Sequence, residues 1–145
     1  MVKNRLIVAL LPLLLMALSV VSASAGGWQP PPPVIEGPTS LETSVTASGG
    51  NGQVSGTLDI TNVGEYPGVI SRIRLVVEER VDREWVAVGS HTLGGFVIPA
   101  SATRTVSFSF TYVERPGAKS HRLVSYVTLV NHPTGERTFV SRASF

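Results

Sequence analysis

The octapeptide TVSFSFTY, residues 105–112, alternates without a break. Val106, Phe108, Phe110 and Tyr112 fall on one side; Thr105, Ser107, Ser109 and Thr111 fall on the other. A period of two over this length, carried by β-branched and aromatic side chains, predicts a strand with one face in a core and one in water. Working outward, the same pattern recurs. VSGTLDI (54–60) sets Val54, Leu58 and Ile60 on one face, with Gly56 filling the fourth position. SRIRLVVEE (71–79) points Ile73, Leu75 and Val77 one way and Arg72, Arg74 and Glu78 the other. EWVAVGSHT (84–92) and RLVSYVTLVN (122–131) are apolar on both faces, which predicts central or doubly covered strands. RTFVSRASF (137–145) alternates again, and SLETSVTAS (40–48) is a weaker first strand.

The connections read as hairpins and corners. Asn51-Gly52 suits the positive φ angles of a tight turn. RVDRE (80–84) and NHPTGE (131–136) are short enough to join antiparallel neighbours, while the Gly-Gly pair in SHTLGGFVIP (90–99) reads as a bulge or a crossover between sheets. After the leader, no segment carries a helical period of 3.6 over ten or more residues. About seven strands without helices predict an all-β fold: a single antiparallel, immunoglobulin-like β-sandwich over 39–145.

LDITNVG (58–64), VIPASATRTVSFSF (97–110) and PGAKSHRLVSYV (116–127) resemble the strand-and-turn succession of bacterial and archaeal extracellular immunoglobulin-like or fibronectin type III-like domains, in the adhesion-related form called CARDB. The resemblance covers about 39–145 and implies a sandwich that binds rather than catalyses. The chain lacks the Asp/Glu/Asn-rich tail that such domains often carry, and it lacks the paired cysteines of antibody-type domains. The first departure weakens any implied calcium binding.

The N-terminus predicts export. Lys3 and Arg5 precede an apolar run over 6–21, and Ala23-Ser24-Ala25 supplies a small-residue cleavage site, so 1–25 reads as a signal peptide. The run is broken by Pro12 and falls short of the roughly 20 residues that span a bilayer. Residues 26–38, with four consecutive prolines after Trp28, read as an extended Pro-rich linker. The expected location is secreted or cell-surface, or periplasmic where the source has an outer membrane.

Net charge is +2, but removing Lys3 and Arg5 leaves ten Lys and Arg against ten Asp and Glu. The processed chain is formally neutral, which argues against nucleic acid and anionic membrane surfaces as partners. Of its ten cations nine are arginine.

No reactive constellation is legible. Asp59 and Asp82, the only aspartates, lie outside any D-x-D-x-D-G loop. Glu78 and Glu79 are adjacent and so face opposite sides of a strand, one expected in solvent and one at an edge. His91, His121 and His132 show no zinc-protease spacing, and no cysteine exists to complete a structural zinc site. His121 and His132 fall at opposite ends of one strand, over about 30 Å apart. No G-x-S-x-G elbow is present. No catalytic residue, metal ligand or cofactor is therefore assigned.

The interaction candidates are Arg72 and Arg74 on one polar face, Arg104 and Arg115 flanking another strand, and the aromatics Trp85 and Tyr66. Trp85 beside Val86 and Val88 also fits a core position, and Tyr126 fits the corner tyrosine of sandwich folds. DITNVGEYPG (59–68) reads as a corner between strands, with Asn62 and Gly64 supplying turn conformations and Tyr66 exposed at the tip as the binding candidate. The function expected is a non-catalytic module binding an unidentified protein or cell-surface partner. The alternatives are a homo-oligomeric fibre or coat subunit pairing through edge strands and, further off, a small exported hydrolase or a regulator of one.

Overall fold

The computed structural model describes residues 37–145. The expected leader and the linker up to residue 36 lie outside the described residues. Seven antiparallel strands follow in order: β1 (Leu41–Gly50), β2 (Gln53–Asn62), β3 (Gly68–Val81), β4 (Glu84–Ile98), β5 (Thr103–Thr111), β6 (His121–His132) and β7 (Gly135–Ser144). They form a three-stranded sheet in the order β1-β2-β5 and a four-stranded sheet in the order β4-β3-β6-β7. The described residues contain no helix. The all-β sandwich expected from the alternation is the observed architecture. Relative to the immunoglobulin constant-type layout, the fourth strand has moved from the sheet of the first strand to that of the third.

The alternating apolar positions meet between the sheets. Leu58 and Ile60 from β2 oppose Ile73, Leu75 and Val77 from β3, with Leu123, Val127 and Leu129 from β6 beside them. All of these are at most marginally accessible, so each removes most of its apolar area from water, worth about 1.5–3 kcal/mol per side chain. Gly56 is needed within this layer because a Cβ there would collide with the Thr46 carbonyl and lie 2.9 Å from the Phe108 ring.

The hairpins follow their turn chemistry. Asn51 (φ 55°) and Gly52 (φ 78°) join β1 to β2 with both central residues in the left-handed region. Asp82 (φ 48°) and Arg83 (φ 74°) do the same between β3 and β4, where no glycine relieves the arginine.

Four local expectations change. β4 is an edge strand, not a doubly covered one, because its outward Trp85 is covered by a side chain and not by another layer. Its register against β3 also slips between Val77 and Glu78, leaving Val88 as an extra residue whose carbonyl accepts from the Val113 amide at 3.3 Å. Residues 90–98 are no crossover. They pair with β3 as far as Gly68 opposite Ile98, and Gly95 is required because a Cβ would strike the Ile70 carbonyl. The crossing falls at 99–102, where Ser101 has φ 60°. Finally, Tyr126 is not at a corner: it lies in mid-β6, opposite Arg74 on one side and Val140 on the other.

Candidate functional site

The corner at 62–69 is held by two asparagines. Asn62 is fully buried at the end of β2. Its Oδ1 accepts from the Thr39 hydroxyl at 2.5 Å and the Gly64 amide at 3.0 Å, and its Nδ2 donates to the carbonyls of Tyr66 (2.8 Å) and Ile98 (3.1 Å). Asn131, from β6, accepts from the Val69 amide at 2.9 Å and donates to the carbonyls of Gly37 and Pro67, both at 2.8 Å. Every side-chain hydrogen-bonding group of both amides is thus engaged with the chain itself. The two residues tie the entering segment to β2, β3, β4 and β6.

This arrangement revises the account of Gly64. Its φ is not positive. Glycine is required because a Cβ would overlap Thr39 Oγ1 and approach the Thr39 Cβ to 3.0 Å. Tyr66 is half-buried, and its ring lies over Gly37 so closely that a Cβ there would sit 2.5 Å from the ring carbons. The ring is therefore turned at least in part onto the chain. Asn131 was not singled out in the sequence, since its partners lie 62 or more positions away.

A second polar cluster sits at the opposite end of β3. Glu79 is wholly buried, in contrast to the solvated or edge positions expected of the Glu78–Glu79 pair. Its Oε1 accepts from the Arg115 amide at 2.9 Å and lies 3.3 Å from His121 Nε2. The carboxylate thereby pins the β5–β6 loop. Oε2 has no protein partner, and neither has the buried hydroxyl of Tyr112. Tyr112, His121 and Phe145 pack as an aromatic group with centroids 5.5–6.1 Å apart. Burial first, and then the negative charge of Glu114, hold the Tyr112 phenol above its usual 10.0, with the Gly52 backbone opposing and Glu79 adding to the rise. Glu79 also lines a cleft of about 250 Å³ with Arg80, Asp82 and Arg115. One buried carboxylate beside one imidazole offers proton transfer at most; the cleft's second carboxylate, Asp82, is exposed in the β3–β4 turn, and no serine lines the cleft. A second depression, of about 360 Å³ beside the β1–β2 turn, has no titratable side chain in its lining.

His121 and His132 do occupy the two ends of β6. His132 is engaged with Thr134 (2.8 Å) and Arg137 (3.2 Å), and His91 stacks on Phe110 at 5.3 Å. Among the described residues no group of three or more His, Cys, Asp and Glu side chains is placed to hold a metal ion.

The two outer faces of the sandwich carry opposite chemistry. On the three-stranded sheet the register forms rows of three: Glu42–Thr61–Thr103, Ser44–Asp59–Thr105, Thr46–Thr57–Ser107 and Ser48–Ser55–Ser109. Hydroxyls bond across strands, as between Thr46 and Thr57 and between Thr61 and Thr103, both at 2.8 Å. These rows hold two carboxylates and no cation.

The outer face of the four-stranded sheet is cationic. β3 presents Arg72, Arg74, Val76, Glu78 and Arg80; β6 presents Arg122, Val124, Tyr126 and Thr128; β7 adds Glu136, Thr138, Val140 and Arg142. Arg122 donates to Glu78 Oε2 at 2.6 Å and stacks on Trp85 at 4.2 Å, which places that tryptophan outside the core. Val76 and Val124 are buried although they point outward and stand apart from the inter-sheet core. The long stems of the surrounding arginines suit such cover. Arg104 is not on this face: it lies in β5 over the Phe96 ring at 3.9 Å.

No protein-family model matches the chain, and no curated protein matches it in sequence. Among solved structures it is similar to the sporulation control protein Spo0M of Bacillus subtilis, at 18% identity over 76% of this chain and 48% of that one, with a TM-score of 0.49. It is also similar to AvmM, which catalyses macrocyclization in alchivemycin A biosynthesis (11% identity, 76% and 88% covered, TM-score 0.47). A third is a β-glucosidase from Kluyveromyces marxianus (10% identity, 74% and 14% covered, TM-score 0.44). The chain spans about half the length of Spo0M.

Proposed function

We propose that this protein is an exported, non-catalytic binding module of the immunoglobulin-like or CARDB-like kind, acting at the cell surface or after release. The carrying observation is the division of labour among its polar side chains. The asparagines and the buried glutamate are consumed in holding the fold, whereas exposed arginines and Tyr126 share one open sheet face. Arginine and tyrosine are the residue types that anchor interfaces. The export signal and the Pro-rich spacer fit presentation of such a face away from a cell surface.

The test is capture from the native envelope with the exported protein as bait. Recovery of the same partner at physiological salt is expected, and absence of any retained component contradicts the reading. A self-assembling subunit is the second reading, favoured by β4. Its 15 residues run along a sheet edge with neither lysine nor proline to blunt pairing with another chain. Mass measured across a wide concentration range decides this, since a strictly monomeric species at high concentration removes it.

A further inference from the structure

We infer that the outer face of the four-stranded sheet docks an anionic polysaccharide, a chain carrying sulfate or phosphate groups, with Arg72, Arg74, Arg80 and Arg142 as its anion contacts. The inference rests on the binding-module reading and names its partner. Its first support is charge segregation. The ten cations of the processed chain balance ten carboxylates in total, yet this face holds five arginines against two carboxylates, Glu78 and Glu136. Glu78 is already neutralised by Arg122, the only arginine–carboxylate ion pair among the described residues. Four exposed arginines remain in no ion pair among the described residues, with Glu136 as the one other carboxylate of their face, while the opposite outer face carries Glu42 and Asp59 and no cation. Such a distribution orients the molecule towards an anionic partner.

The geometry selects a long ligand. Arg72 and Arg74 are two residues apart on β3, about 7 Å, and Arg80 lies a further six residues on, about 20 Å. Arg142 lies two strands away, about 10 Å across the sheet. Cations spread so widely on an open face cannot converge on one phosphate, but they can follow a polymer with repeating anions. Guanidinium forks pair bidentately with sulfate and phosphate oxygens. Thr92, Thr138 and Ser144 on the same face offer hydroxyls to sugar rings.

Nucleic acid fits less well. Trp85 is already stacked with Arg122, which leaves Tyr126 as one stacking platform where single strands use several. No helix is present in the described domain to enter a major groove. A protein partner would favour an apolar, charge-depleted centre, whereas the central Val76 and Val124 are buried beneath this face.

The experiment expresses the protein from its full-length sequence and measures binding to dextran sulfate, uncharged dextran, a single-stranded oligonucleotide and phosphatidylglycerol vesicles at several salt concentrations. Dextran sulfate is expected to bind tightest and uncharged dextran not at all. The R72Q/R74Q double variant should weaken dextran sulfate binding at least tenfold and reduce the log–log salt slope by about two. A control of equal charge loss, R83Q/K119Q, should stay within about twofold, and both doubles should keep the parental melting temperature, since all four residues are exposed. Equal loss in the two doubles, or tighter binding to the oligonucleotide or the vesicles, overturns the assignment. An envelope partner captured equally well by R72Q/R74Q also overturns it, while leaving the binding-module reading intact.

Discussion

At the scale of single residues, the corner that first looks like a ligand site is a closed hydrogen-bond system. Asn62 has no unused donor or acceptor, and Gly64 is fixed by contact with Thr39 and not by backbone handedness. Gly64→Ala should therefore destabilise the domain by about 1–3 kcal/mol through overpacking. The penalty should shrink in a Thr39→Ala background, because the colliding hydroxyl is then gone. Denaturant unfolding of the four proteins of this cycle measures it, and strict additivity would contradict the steric origin.

Tyr112 supplies a second residue-scale prediction. Its hydroxyl is buried without a partner, so Tyr112→Phe should be neutral or stabilising by about 1 kcal/mol. The phenol's folded pKa is raised, so the unfolded phenol ionises first as pH climbs past 10.0. Stability from this group is fully present below pH 10.0 and is lost as pH rises towards the folded value. Thermal melts from pH 8 to 11 should accordingly show a shallower alkaline decline for the phenylalanine variant than for the parent.

At the scale of elements, strands with unbroken alternation were legible because one core face fixes which side chains turn inward. VSGTLDI and TVSFSFTY lie within β2 and across β5 as the period predicts. β4 was not legible in the same way. The extra residue at Val88 changes the parity of the strand, and the outward Trp85 is accounted for only by Arg122 on β6. Glu79 was misread for a related reason. The alternation places it inward, but only the fold brings the Arg115 amide and His121 to its buried carboxylate. Replacing it by alanine should cost about 3 kcal/mol or more, as breaking a buried charged contact does. It should also speed hydrogen exchange at the Arg115 amide before the β2 and β3 amides respond. Exchange followed by NMR checks both the loop and the core, and an unchanged Arg115 amide would show that Glu79 does not hold the loop.

At the scale of the whole molecule, a net charge of only +2 conceals two unlike faces. Arg72 and Arg74 were visible as neighbours on one strand. Arg80 joins them by continued alternation along β3, whereas Arg122 and Arg142 join only through the β3–β6–β7 register, which no local pattern encodes. The central claim is that this arginine face, and neither the Tyr66 corner nor the β4 edge, meets the partner. Covalent arginine footprinting, read together with backbone hydrogen exchange on the purified protein with and without an envelope fraction of its source, tests that claim most directly. The predicted result is protection of Arg72, Arg74 and Arg142 with Arg83 still reactive. Unprotected arginines on this face, with protection confined to β4 backbone amides or to residues 64–67, would contradict it.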